Sequence, residues 1–232
     1  MKRPERAEIA KQTVAIVEQS FYAAPSGRSV DIAGLVRTCL NATTYFTPPE
    51  LEGLRQKALA RPAAGHSTSF EVVNETTLQG ISRLLRDGNR NVAALNFGSA
   101  KNPGGGFLSG SQAQEESLAR SSALYASQRQ AWTFYDHHRA ESSLLYTDAM
   151  ILSPNCPVIR DDDGTLLDKP QMVNFITSAA PNAGAAADNR PEEVPLIPQC
   201  TPASFRVRAC CGSIPGIRPV GARCVGLRSV SQ

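Results

Sequence analysis

The chain has 232 residues, 41% of them hydrophobic, and a formal net charge of +3. That length supports one sizeable core, and no apolar run reaches the roughly 18–20 residues that span a bilayer. Residues 200–232 hold five Arg and no Asp or Glu, leaving 19 basic against 21 acidic residues in 1–199, so the main body does not read as a basic nucleic-acid binder. No apolar segment follows Met1-Lys2-Arg3-Pro4-Glu5-Arg6, which reads as no secretory signal and a cytoplasmic location. Residues 5–23 read as an amphipathic helix carrying Ile9, Val14, Val17 and Phe21, closed by Pro25-Ser26-Gly27. A short helix is expected over 31–40, a strand over 43–47, and a helix from Pro48 to about Ala60 with proline in its first turn.

Phe70-Glu71-Val72-Val73-Asn74 alternates like a strand. Thr76 or Thr77 caps a helix whose inner side is Leu78, Ile81, Leu84 and Leu85, and Asp87-Gly88-Asn89 stops it. The apolar run over 92–97 is a buried strand, and this strand–helix–strand order argues for an α/β layer with a parallel pair. A helix over 114–127 turns Leu118, Ser122 and Tyr125 inward. Trp132, Phe134 and Tyr135 are expected in core or lid packing, and His137-His138 as a solvated or capping element. Strands are expected over 150–153 and 172–176, with a hairpin between them turning at Asp161-Asp162-Asp163-Gly164, a solvated turn without the spacing of a calcium loop. Thr177 to Gly184 is a small-residue loop. Four of the six cysteines (Cys200, Cys210, Cys211, Cys224) lie in the tail, all are expected to be reduced, and no Cys/His spacing reads as zinc.

The chemistry concentrates between the strand over 92–97 and the helix that starts near Gln114. Asn102-Pro103 leads into Gly104-Gly105-Gly106, seven residues follow, and then Gln114-Glu115-Glu116. Glycines without a Cβ let a ligand touch the backbone. A helix start favours anions. One helical step turns a side chain by about 100°, so Glu115 and Glu116 cannot share one role. The loop reads as a phosphate or sugar cradle with a carboxylate aimed into it. It lacks the Gly-Lys-Ser/Thr ending of a Walker loop and the spacing of a dinucleotide fingerprint.

The triple glycine, seven residues and Gln-Glu-Glu resemble the signature of poly(ADP-ribose) glycohydrolases, and residues 96–125 resemble the bacterial-type branch. The resemblance continues less specifically through 134–139, 150–163 and 176–184, and stops at 198. It implies a macrodomain-like three-layer α/β/α sandwich with a mixed sheet, divided as an N-terminal helical extension (1–65), a catalytic domain (66–198) and an atypical tail (199–232). It implies hydrolysis of ribose–ribose O-glycosidic bonds of poly(ADP-ribose) without metal or cofactor. The expected substrate is the polymer or an ADP-ribosylated protein, and the protein is expected to be a monomer that binds neither DNA nor membrane. Glu116 is then the general acid and later the base, and Glu115 and Gln114 hold ribose hydroxyls. Gly104, Gly105 and Gly106 are then expected to admit the ribose and phosphates to the backbone, Asn96 and Asn102 to make polar contacts to the terminal ribose (with turn capping before Pro103 the equal alternative for Asn102), and the loop at 177–184 to form part of the ligand rim. A non-catalytic ADP-ribose reader on the same fold is the alternative, and an unrelated nucleotide-binding enzyme a second. In the family the tail should supply a helix, a buried strand and a second glycine-aromatic loop, none of which is present as written. Reading synonymous codons one nucleotide downstream spells such a strand and loop over 219–232, so a frame shift soon after Pro198 is expected, which the coding DNA decides.

Overall fold

A computed structural model describes residues 1–60, 69–198 and 223–225. Helix α1 (Arg3–Gln19) begins where Glu5 reaches back to accept from the Lys2 amide at 2.7 Å, and closes at Ser20 with φ 67°. It is shorter than expected. Phe21–Ala23 is a strand, β1, paired antiparallel with β2 (Ser29–Asp31). The period of two buries Tyr22, whose hydroxyl donates to the Leu167 carbonyl, and leaves Phe21 outside. Helix α2 (Ala33–Ala42), strand β3 (Thr44–Phe46) and helix α3 (Pro48–Leu59) follow the sequence expectation.

The strand expected over 70–74 does not form. Phe70 is 93% and Val72 100% exposed, because alternation alone makes no strand where no sheet edge accepts it. Helix α4 (Thr77–Arg86) is capped as expected, Thr76 Oγ1 accepting from the Gln79 amide at 3.1 Å. Strand β4 (Val92–Gly98) then enters the core. The single helix expected over 114–127 is two, α5 (Gln114–Ser121) and α6 (Leu124–Gln130). Ser122 between them is extended and bridges to Val158, and the Ala123 amide donates to the Pro157 carbonyl at 3.1 Å. Helix α7 (Trp132–Ala140) carries His138, which is fully buried rather than solvated: its Nδ1 lies 2.9 Å from the Phe134 carbonyl and its Nε2 3.1 Å from Thr147 Oγ1.

Strands β5 (Met150–Arg160) and β6 (Leu166–Ala179) form one long hairpin where shorter pieces were expected, turning at the Asp-Gly site, with register shifts between Ser153 and Cys156 and between Val158 and Arg160. Helix α8 (Ala183–Asn189) and a 3-10 turn (Pro191–Leu196) follow. The tail expected to lack a strand supplies one over Arg223–Val225, here β7, parallel to β4 from Val92 to Ala94. The backbone groups on that edge of β4 demand a partner. Otherwise the frame-shift expectation lies outside the described residues.

Among the described residues the main sheet has five strands in the order β3-β5-β6-β4-β7. The β4–β6 and β4–β7 pairs are parallel and the others antiparallel, so the expected parallel pair exists with different partners. Val92, Ala94, Val173 and Phe175 face α2, α4 and α5, while Ala93, Met150, Leu152 and Ile176 pack with Leu51 and Leu54 of α3 on the opposite face. Helices therefore cover both faces of a mixed sheet, the expected three-layer α/β/α architecture. Residues 1–60 are built into it. β3 is a sheet edge, and Thr13 of α1 donates to the Arg120 carbonyl at 2.6 Å.

Candidate active site

Strands β4 and β6 run parallel and end together at Gly98 and Ala179. The loop after Gly98 leaves from that carboxyl end, where open α/β sheets place ligands. Gln114 fixes the return of the chain. Its Oε1 accepts from the Phe97 amide at 2.9 Å, and its Nε2 donates to Thr77 Oγ1 at 2.9 Å and the Leu95 carbonyl at 3.0 Å. The amide expected to hold ribose hydroxyls thus staples α5 to β4 and α4.

The next two side chains diverge, as the helical step requires. Glu115 is 4% exposed. Its Oε2 accepts from the Ser99 amide at 2.7 Å, and its Oε1 from Gln128 Nε2 at 2.8 Å and Asn96 Nδ2 at 3.3 Å. Asn96 is wholly buried beneath it and also donates to Thr177 Oγ1 at 3.0 Å. Glu116 is half-buried. Its Oε1 accepts from the Gly106 amide at 3.0 Å, and its other oxygen takes no hydrogen bond from the described residues.

The glycine loop brings backbone and carboxylates together. Gly105 has φ +56°, and a methyl group placed on it would lie 2.5 Å from Glu116 Oε1 and 3.1 Å from Glu115 Oε2. Both carboxylates thus crowd the side of the loop that only a glycine leaves open. The Gly104 amide donates to Gln128 Oε1 at 2.8 Å. Asn102 is exposed at the loop entrance, its carbonyl accepting from the Gly105 amide at 3.0 Å. Thr177, expected in a loop, is buried in β6 under the site, and the loop begins only after Ala179. Gln128, Ser99 and Thr177 therefore join the cluster without having been singled out as contacts to the carboxylates. They meet it through folding, and no local pattern marks them.

Burial pushes the Glu115 carboxyl up to about 7. The Ser99, Gln128 and Asn96 hydrogen bonds oppose the rise, and the neighbouring Glu116 charge adds to it. Between the ordinary value of 4.5 and about 7 the folded state holds the proton that the unfolded state releases. Unfolding free energy therefore falls as pH rises through that window, by on the order of 3 kcal/mol for one buried group. Glu115→Gln should flatten this slope. Urea unfolding of both proteins at pH 4.5, 6 and 7.5 measures it, and parallel curves would show that the carboxyl carries no such shift.

Three comparisons bear on this site. The solved structure of poly(ADP-ribose) glycohydrolase from Thermomonospora curvata matches with a TM-score of 0.85 and 43% identity, covering 92% of this chain and 77% of that one. The same enzyme bound to the inhibitor ADP-HPD matches with a TM-score of 0.82, 42% identity and coverage of 92% and 76%. The enzyme from Deinococcus radiodurans in complex with ADP-ribose matches with a TM-score of 0.71, 46% identity and coverage of 79% and 73%. No curated protein matches. The family model for the microbial-type PARG catalytic domain matches residues 10–161, a span that holds the glycine loop and both carboxylates, and the chain belongs to that family.

Proposed function

We propose that this protein hydrolyses the ribose–ribose O-glycosidic bonds of poly(ADP-ribose) and releases ADP-ribose. The observation that carries the reading is that Glu115 and Glu116 both face the side of Gly105 from which a Cβ would project. A sugar seated beside Gly105 meets a carboxyl oxygen of Glu116 that no described residue engages. Cleavage passes through an oxocarbenium-like transition state, and a carboxyl group must protonate the departing ribose oxygen. Glu116 takes that role and then, as carboxylate, draws a proton from the attacking water. Glu115 is saturated by three donors and buried, so it orients and polarises rather than transfers. Gly104, Gly105 and Gly106 admit the ribose and diphosphate, Gln114 and Asn96 hold α5 and Glu115 in place, and Asn102 meets the sugar at the entrance.

The substrate is the polymer or a protein that carries it. The relatives bound to ADP-ribose and to ADP-HPD support this choice. The protein acts as a monomer in the cytoplasm without DNA or membrane contact. The near balance of charge in 1–199 argues against DNA as a partner; among the described residues no helix is long and apolar enough to cross a membrane. Incubating the full chain with poly(ADP-ribose) and quantifying free ADP-ribose tests the reading. Release is expected. Saturable binding of ADP-ribose without release would make the protein a reader, and neither would end the proposal.

A further inference from the structure

We propose that Gln128 is a positioning residue that locks the glycine loop to the Glu115 carboxylate, so that cradle and carboxylates keep one geometry. The inference rests on the hydrolase reading above. Gln128 lies on α6, outside the Gly-Gly-Gly and Gln-Glu-Glu segments, and is fully buried. Both ends of its amide meet site groups. Oε1 accepts from Gly104 N–H at 2.8 Å, and Nε2 donates to Glu115 Oε1 at 2.8 Å, with Thr177 Oγ1 at 3.4 Å. The amide's orientation is fixed by its partners, because a backbone N–H can only donate and a carboxylate accepts.

The helix that carries it is itself anchored. Ser127 donates to Ser153 Oγ of β5 at 2.7 Å, and the Ala123 amide holds the helix start to Pro157. A rigid element therefore sets the distance between the loop and Glu115. A buried amide that meets both partners is favourable; one that loses either leaves a polar group unpaired. The charged group that acts on Glu115 is Glu116 on α5, and Glu115 in turn adds to the rise that burial gives the neutral Tyr135 phenol on α7, while Asn96 on β4 and the Ser99 amide meet Glu115 without titrating and Thr177 on β6 meets Asn96.

Two variants of the full chain separate the halves of the lock. Gln128→Glu keeps the shape and can still accept from Gly104 N–H, but it places an acceptor and a negative charge against Glu115. Gln128→Met keeps the length and removes both bonds. Release of ADP-ribose is followed as kcat and KM across pH, with thermal melting as the check on folding. For both variants kcat should fall on the order of 100-fold, the usual cost of a small misplacement at a reacting centre, while KM changes far less. The pH limb governed by Glu115 should move to higher pH, farther in Gln128→Glu, because a donor to the carboxylate is lost and an anion added. A folded Gln128→Met with wild-type kcat and an unmoved limb overturns the proposal. So does failure of both variants to fold, which would make the residue structural. Absence of release by the wild type would instead refute the hydrolase reading and leave the positions of these bonds unchanged.

Discussion

Glu116→Gln is expected to reduce ADP-ribose release from poly(ADP-ribose) on the order of 1,000-fold, the loss typical of removing a general acid. Glutamine has the same length, and its Oε1 can still accept the hydrogen bond that the Gly106 amide gives at 3.0 Å. The loop and the carboxylate of Glu115 therefore stay where they are. What disappears is the proton for the leaving ribose oxygen and, afterwards, the base for water. A 1,000-fold loss is about 4 kcal/mol of barrier, with no matching loss of ground-state binding. ADP-ribose affinity by calorimetry should be close to wild type while kcat collapses. Equal turnover by the two proteins would remove Glu116 from the chemistry, and a parallel loss of affinity and turnover would make it a binding group.

The part of this arrangement that was legible in the sequence is the part encoded locally. Three glycines, a fixed spacer and adjacent carboxylates identify the loop, and the strand–loop–helix order puts it at a strand's carboxyl end. The helical step by itself separates Glu115 from Glu116, and the structure gives them different partners. The illegible part is non-local. Gln128 meets Glu115 across 13 positions and Thr177 meets Asn96 across 81, separations over which no period carries information. The break at Ser122 follows from a bridge to Val158, which helical spacing cannot register. His138 has the composition of a surface pair and the position of a core residue, since the Phe134 carbonyl and Thr147 satisfy its ring. Gln114 was legible as a member of the motif, but its protein partners were not: its amide ends on the backbone of β4 and docks α5 there.

Gly105→Ala should nearly abolish turnover in a protein that still folds, and the comparison with Gly88→Ala shows why. Both glycines have positive φ, +56° at Gly105 and +85° at Gly88. Each substitution therefore carries a similar backbone penalty of about 1–2 kcal/mol. The surroundings differ. A methyl group at Gly88, just past the end of α4, meets nothing within 4 Å. At Gly105 it meets Glu116 Oε1 at 2.5 Å and Glu115 Oε2 at 3.1 Å. Contact at 2.5 Å is not tolerable. Glu115 cannot yield, because three donors hold it in a buried site, so Glu116 swings away and takes its hydrogen bond to Gly106 with it. The acid then leaves the geometry in which it can reach the ribose oxygen, a displacement that costs on the order of 100-fold in rate. Thermal melting should register both variants as modestly destabilised, while release of ADP-ribose should distinguish them, near wild type for Gly88→Ala and severely reduced for Gly105→Ala. If the two variants turned over polymer equally well, the carboxylates could not both be facing this side of Gly105 in the working enzyme, because the same methyl group that is harmless beyond α4 would have been harmless between them.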